Sequence, residues 1–130
     1  MRITEELKAR IERGLSKKYE AEYQKNEEEY KAAVAKEKPA IVAELENILS
    51  KPAGRVLATI LRGGSVSTAD KIFENWTYAF CRDAYEKKSK TDAILNEKKR
   101  LDYEELAIQI AYQKDIEGIK TAFAAMGLTF

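Results

Sequence analysis

The chain has 130 residues, of which 45% are hydrophobic and 35% charged, and its 23 lysines and arginines nearly balance its 22 aspartates and glutamates. This length fits one domain, and the charge balance argues against a strongly basic nucleic-acid binder. The sequence has no histidine and a single cysteine, Cys81, which excludes Ser–His and Cys–His nucleophile pairs, an internal disulfide and a thiolate zinc site.

The first predicted helix begins after Thr4, a suitable N-cap that is followed by two glutamates. Its apolar residues recur mostly every four positions, as in an amphipathic helix: Leu7, Ile11, Leu15, Tyr19, Tyr23, Tyr30 and Val34. Pro39 disfavours helical geometry at Lys38, so we expect the helix to end or kink there. Residues 1–38 are thus predicted to form one long amphipathic helix that extends from the core.

Three further helices are predicted in the middle of the chain. Pro39 suits the start of the second helix, Pro52 lies near the start of a short third one, and Gly63 ends it. Ser67 is a suitable N-cap for a fourth helix. This helix carries the most aromatic stripe of the sequence, namely Ile72, Phe73, Trp76, Phe80 and Ala84. We expect it, including Trp76, to lie at the centre of the core.

The last third of the chain is predicted to be helical after a polar break. The break is the segment EKKSKTD, residues 86–92, in which Thr91 is the expected cap of a fifth helix. This helix is expected to run through Asp102 or to restart there, and then to continue as far as Gly127. Gly127 followed by the apolar Leu128 is typical of a Schellman end.

No segment shows the alternation of a β-strand, so the sequence predicts an all-α fold. We expect a helical bundle of four to six helices, one or two of them long, in a single helical domain that spans residues 1–130. The N-terminal MRITEELKAR has no apolar signal-peptide segment, and no run of about 18 apolar residues occurs. The expected protein is therefore cytoplasmic and makes no contact with a membrane.

Three features of the sequence are candidates for ligand or catalytic sites. Gly63 and Gly64 precede a predicted helix, but no lysine directly before the serine completes a phosphate-binding motif, so a turn between helices is favoured. The glutamates at 27–29 and 104–105 fit a solvated helix face, because adjacent helical residues point about 100° apart. Cys81 has no histidine base, so a packed thiol is favoured. We predict no catalytic residue, no metal site and no cofactor.

Tyr19, Tyr23 and Tyr30 share one helical stripe and are the predicted partner-binding residues. Tyrosine suits a surface that is exposed to water in the free protein and buried in a complex. The alternative, in which these tyrosines pack inside the chain, is nearly as well supported. A helix of about 32 residues is roughly 48 Å long, against a diameter of about 36 Å for a compact domain of this size. The helix would overhang the core, and two-fold pairing of its tyrosines predicts a homodimer.

Two basic clusters support an alternative partner. Lys87 and Lys88 lie in the predicted break, and Lys98, Lys99 and Arg100 follow it. If the break is a short turn, both clusters lie near one end of the bundle and form a patch that tracks a phosphate backbone. Interleaved acidic residues weaken this interpretation, so nucleic acid is the less favoured partner.

The sequence therefore favours a small non-enzymatic protein–protein interaction module. It would be an adaptor or an inhibitor, of the kind that phages and mobile elements encode, and would act through amphipathic helices. The alternative is a nucleic-acid-binding regulator that uses the Lys/Arg-rich helix junction. A helical hydrolase or ligand binder is a third hypothesis, for which no residues can be named.

Overall fold

The computed structural model describes residues 2–52 and 68–130, and within these ranges it contains five α-helices and no β-strand. The helices are α1 (Glu5–Leu49), α2 (Ala69–Asn75), α3 (Thr77–Phe80), α4 (Arg82–Ala111) and α5 (Ile116–Ala125). The predicted all-α fold with one or two long helices is confirmed. The predicted short third helix with its end at Gly63 lies outside the described residues. The predicted N-cap at Ser67 is wrong, because Thr68 caps α2 and its hydroxyl accepts a hydrogen bond from the N–H of Lys71.

Helix α1 begins as predicted but ends later. Its N-terminus is capped by Thr4, whose Oγ1 accepts a hydrogen bond from the N–H of Leu7 at 3.2 Å. The predicted end at Lys38 and the predicted start of a second helix at Pro39 are wrong, because the helix continues through Pro39 to Leu49. The alternative of a kink at this point stays a prediction. A proline inside a helix costs about 3 kcal/mol, and the half-buried apolar side chains that follow it offset this cost, namely Ile41, Val42 and Leu45.

The polar break predicted at residues 86–92 does not form, and α4 runs through it without interruption. The segment contains neither glycine nor proline, and its glutamate and lysines are good helix formers. Thr91 therefore lies inside the helix rather than at its cap, and the helix also runs through Asp102. These polar residues therefore form an exposed surface of the helix and do not end it.

The chain leaves helical geometry after Ala111, where the sequence predicted an unbroken helix. Asp115 caps the new helix α5, since its Oδ1 accepts a hydrogen bond from the N–H of Gly118 at 2.9 Å. The predicted Schellman end of this helix is confirmed. Gly127 has a φ of 74°, and the N–H of Leu128 donates to the carbonyl oxygen of Phe123 at 2.9 Å.

The predicted aromatic helix is divided at Trp76, which separates α2 from α3. With φ at −123° and ψ at 23°, this residue is outside helical geometry, so the aromatic stripe does not continue on one face. Ile72 and Phe73 are buried, whereas Trp76 is only half-buried and its ring lies 6.3 Å from that of the exposed Tyr78. The expectation that Trp76 is a core residue is therefore wrong.

The structure divides into two compact units, of which the first comprises Met1–Asn26 and Lys90–Phe130. Its core is formed by residues of α1, α4, α5 and the chain after α5, namely Ile11, Leu15, Tyr19, Leu95, Leu106, Ile110, Ile119, Ala122, Phe123 and Leu128. Leu128 packs against α1 beside Gly14. That the whole chain folds as a single domain stays a prediction.

The second unit comprises Glu27–Ser89. Phe73 is its largest buried side chain, and the ring of Phe80 stacks on it with 5.9 Å between centroids. Lys38 of α1 lies over the Phe73 ring at 5.7 Å, and its Nζ is 3.8 Å from Oδ1 of Asp70. In neither unit does any described helix have the length and apolar character needed to cross a membrane.

Candidate protein-interaction surface

One side of α4 carries a row of large apolar side chains that are exposed. Three residues of α4 are buried in the core of the first unit, namely Leu95, Leu106 and Ile110. Ile94, Leu101 and Ile108 are instead 58%, 50% and 60% exposed. Because successive helical residues turn by about 100°, these three side chains lie on the side of α4 opposite to the buried one. We call them the α4 stripe.

The members of the α4 stripe are spaced by seven residues, from Ile94 to Leu101 to Ile108. This spacing keeps side chains in line along a helix that contacts a second helix, as in coiled coils. Tyr112, which follows Ile108 by one turn, is 81% exposed. Single exposed apolar residues are common on proteins, but an aligned row of them is a feature of contact surfaces.

Charged residues border the α4 stripe on both sides. On one flank, Lys98 and Glu105 are exposed and have no ion-pair partner within the part of the chain that the structure describes. On the other flank, the guanidinium of Arg100 donates to both carboxylate oxygens of Glu97 and, through Nη1, to Oε1 of Glu104 at 2.6 Å. This flank thus pairs one arginine with two glutamates and keeps a net charge of −1, whereas the other flank presents one charge of each sign.

Tyr19, the first predicted partner-binding residue, packs inside the chain. It is 9% exposed, and its hydroxyl donates a hydrogen bond to Oδ2 of Asp102 at 2.6 Å. The same oxygen pairs with Nζ of Lys18 at 3.1 Å. The hydrogen bond to Asp102, followed by burial, raises the pKa of Tyr19 to about 12. Burial acts to raise the pKa of Asp102, but the bonds from Tyr19 and Lys18 outweigh it and lower this pKa.

Tyr23 and Tyr30 are half-buried and also contact residues of the same chain. In the first unit, the Tyr23 hydroxyl donates to Oδ1 of Asn96, and Nζ of Lys99 lies 5.5 Å from the centre of the Tyr23 ring. In the second unit, Nζ of Lys88 lies 5.9 Å from the ring of Tyr30. Burial raises the pKa of both tyrosines. Partner binding by Tyr19, Tyr23 and Tyr30 stays a prediction. All three already contact residues of their own chain.

The two predicted basic clusters lie in different units. Lys88 belongs to the second unit, where its Nζ pairs with Oε2 of Glu27 at 3.3 Å, and Lys87 beside it is exposed. In the first unit, Lys99 lies over the Tyr23 ring and is within 3.4 Å of the Ser16 hydroxyl. The turn that was expected to bring the clusters together is absent, because α4 is continuous.

A third basic surface, which the sequence analysis did not predict, lies beside the end of the described chain. It is a groove of about 390 Å³ whose lining includes Arg10, Arg13, Lys17 and Lys18 together with Phe130. Arg10 is occupied, since its Nη1 donates to the carbonyl oxygen of Phe130 at 2.6 Å. Arg13 and Lys17 are exposed and form no ion pair among the described residues. Their spacing of four in RIERGLSKK was the available signal for this surface.

The remaining sequence-predicted candidates are Cys81, the two glutamate runs and the Gly63–Gly64 pair. Cys81 is buried at 1% exposure, and burial, followed by a hydrogen bond with Glu37, raises the pKa of its thiol to about 11. Glu27 pairs with Lys31 and Lys88. In residues 2–52 and 68–130, no group of three or more acidic or cysteine side chains is placed to hold a metal ion. Gly63 and Gly64 fall outside these ranges.

The α4 stripe was not predicted from the sequence because a buried and an exposed row of apolar residues share one helix. Ile94 and Leu95 are adjacent apolar residues, but only Leu95 is buried. The seven-residue spacing of Ile94, Leu101 and Ile108 was the signal that separates the two rows. Comparison with known proteins adds no relative: no family model, no curated protein and no solved structure matches this chain.

Proposed function

We propose that the protein is a non-enzymatic interaction module, an adaptor or an inhibitor, that binds a helical segment of a partner through the α4 stripe. The observation that carries this proposal is the exposure of Ile94, Leu101 and Ile108 at heptad spacing on one helix. Removing such side chains from water stabilises a complex by about 25 cal/mol per Å² of apolar surface. A helix that packs along the row covers all three at once.

The chemistry of the chain also supports a contact function. Without histidine, a general base or nucleophile pair has to be built from other groups. The one thiol is buried, and its raised pKa favours the protonated form, which is the unreactive one. The glutamate side chains at Glu27, Glu97 and Glu104 are engaged by lysine or arginine. These features support binding rather than catalysis as the activity.

The proposed contact surface differs from the tyrosine stripe that the sequence favoured. Tyr19 and Tyr23 have hydroxyl partners within the chain, whereas the apolar atoms of the α4 stripe have no covering segment among the described residues. A partner that used Tyr19 would have to compete with its hydrogen bond to Asp102. The α4 stripe is therefore the better supported place for the partner.

Affinity capture tests this function. The immobilised protein is exposed to an extract of the cells in which it occurs, with and without nuclease, and retained proteins are quantified by mass spectrometry. Leu101→Glu/Ile108→Glu removes the stripe, and Ala21→Glu/Ala32→Glu adds the same charge at exposed positions of α1. We expect one protein to be retained by the wild type and the control and lost from the stripe variant.

Two results of the capture experiment would contradict the proposal. Retention of the same proteins by the wild type and by Leu101→Glu/Ile108→Glu would show that the α4 stripe is not the contact surface. Retention that disappears with nuclease, and is reduced in Lys98→Glu/Arg100→Glu, would support the nucleic-acid alternative instead. The circular dichroism of each variant establishes that its helices are retained.

A further inference from the structure

We infer that one occupant of the α4 stripe is a second copy of this chain, with the two α4 helices antiparallel and Leu101 on the two-fold axis. This inference rests on the proposed function, because it names a partner for the same surface. A symmetric pair is the simplest closed solution for a row of exposed apolar residues that is itself symmetric about its centre. Here Ile94 and Ile108 lie seven residues to either side of Leu101.

The apolar layers of such a pair match in size. In an antiparallel arrangement about Leu101, each residue of the α4 stripe faces the stripe residue that lies as far from Leu101 in the opposite direction. Leu101 therefore faces Leu101 of the second copy, and Ile94 faces Ile108. All three side chains are at least half exposed in the single chain. Each finds an apolar side chain opposite it, as in the layers of a coiled coil.

Charge complementarity favours the antiparallel direction. Lys98 and Glu105 lie on the same flank of the stripe, three residues before Leu101 and four residues after it. In an antiparallel pair, equivalent flanks adjoin, so Lys98 of each copy lies beside Glu105 of the other. In a parallel pair, Glu105 lies instead beside the other flank, where Glu104 and Glu97 outnumber Arg100 and leave a net negative charge. Opposite charges at such flanking positions select the direction of pairing.

The other flank opposes this arrangement, but Arg100 reduces the repulsion. Glu97 and Glu104 adjoin their counterparts in an antiparallel pair, which would bring like charges together. Arg100 binds both carboxylates within its own chain, and its charge is held there by hydrogen bonds to each. The contacts with Glu97 and Glu104 raise the pKa of Arg100 further above its ordinary value. Two arginines therefore balance half of the four acidic charges on that side of the pair.

Cysteine cross-linking tests the direction and the register together. Leu101→Cys, Ile94→Cys and Ile108→Cys are each oxidised alone, and Ile94→Cys is also mixed with Ile108→Cys. A disulfide needs Cα atoms within about 7 Å. In the antiparallel pair, the two copies of residue 94 are about 21 Å apart along the axis. We expect dimers from Leu101→Cys and from the mixture, and none from Ile94→Cys or Ile108→Cys alone.

The controls exclude random collision and the native thiol. Wild-type protein under the same oxidant reports on Cys81, which is buried, and Lys25→Cys reports on an exposed position away from the stripe. Self-linked dimers from all three stripe variants would overturn the antiparallel arrangement. If the stripe variants gave no more cross-linked dimer than Lys25→Cys, self-pairing would be overturned. The proposed function would still be tested separately, by the capture of another protein through the α4 stripe.

Discussion

The hydroxyl of Tyr19 in α1 donates a hydrogen bond to Oδ2 of Asp102 in α4, at a distance of 2.6 Å. Nζ of Lys18 reaches the same oxygen at 3.1 Å, and the Tyr19 side chain is almost fully buried. The hydrogen bond between Tyr19 and Asp102 links the two long helices within the first unit. It gives the buried hydroxyl and the carboxylate a partner each at the edge of the core. Residues on the outer side of α4 make no equivalent contribution to the fold of the single chain.

Replacing Tyr19 by phenylalanine keeps the ring and removes the donor to Asp102. We expect the free energy of unfolding to fall by about 1–2 kcal/mol, because a hydrogen bond to a charged and partly buried acceptor is lost. Urea denaturation followed by circular dichroism measures this. Tyr23→Phe is the matched control, since its bond to Asn96 is exposed, and we expect its cost to stay below about 0.5 kcal/mol. Equal losses in the two variants would contradict the assignment.

The ionisation of Tyr19 makes the protein less stable at alkaline pH. The hydrogen bond to Asp102 and burial raise the pKa of Tyr19 from 10.0 to about 12. The unfolded chain releases this proton near pH 10 and the folded chain retains it, so the stabilisation is complete below pH 10 and is lost as the pH rises towards 12. In urea titrations at increasing pH, the advantage of the wild type over Tyr19→Phe should stay constant to about pH 9 and then shrink. An advantage that persists undiminished at pH 12 would contradict this.

The two sides of α4 should respond differently to truncation. Leu106 is fully buried, so Leu106→Ala should lower the free energy of unfolding by about 2–5 kcal/mol. Leu101 is half exposed, so Leu101→Ala should change it by no more than about 0.5 kcal/mol when the chain is diluted enough to be monomeric. Denaturation at low protein concentration compares them. A large loss from Leu101→Ala under these conditions would mean that Leu101 belongs to the core of the single chain.

Two glycine-to-alanine changes should shift stability in opposite directions. Gly127 has a positive φ, and an added Cβ meets no neighbour there, so Gly127→Ala should cost about 1 kcal/mol through the backbone alone. Gly14 is helical, and its added Cβ would reach Leu128 at 3.4 Å, an ordinary contact. Gly14→Ala should therefore gain up to about 1 kcal/mol. Thermal denaturation measures both, and a destabilised Gly14→Ala would show that Leu128 needs more room.

The sequence predicted the ends of helices correctly where the capping interaction is formed by residues that are close together in the chain. Thr4 caps α1, and Gly127 with Leu128 ends the last helix, as expected from the sequence. The signals at Pro39 and at residues 86–92 were overruled, because helix-forming neighbours and tertiary packing decide whether a weak interruption ends a helix. At Asp115 the error was the reverse. The apolar pattern predicted an unbroken helix, but Asp115 caps the start of a new one.

The candidate surface was less predictable than the fold. Periodicity places apolar residues on a face of a helix, but it does not tell which of two faces meets the core. The contacts of Tyr19 with Asp102 and of Leu106 with the core assign the inner face of α4, and only then does Leu101 emerge as exposed. Tyr19 and Tyr23 had appeared available for a partner because their hydroxyl acceptors lie more than 70 residues away along the chain.

Light scattering of the purified protein tests most directly whether the α4 stripe is a contact surface for a second copy. The account predicts a mass that rises with concentration towards twice 14.8 kDa. It also predicts that Leu101→Glu/Ile108→Glu stays at the monomer mass with its helicity retained, while Ala21→Glu/Ala32→Glu behaves like the wild type. A wild-type mass of 14.8 kDa at every concentration, or a dimer that persists in the stripe variant, would contradict it.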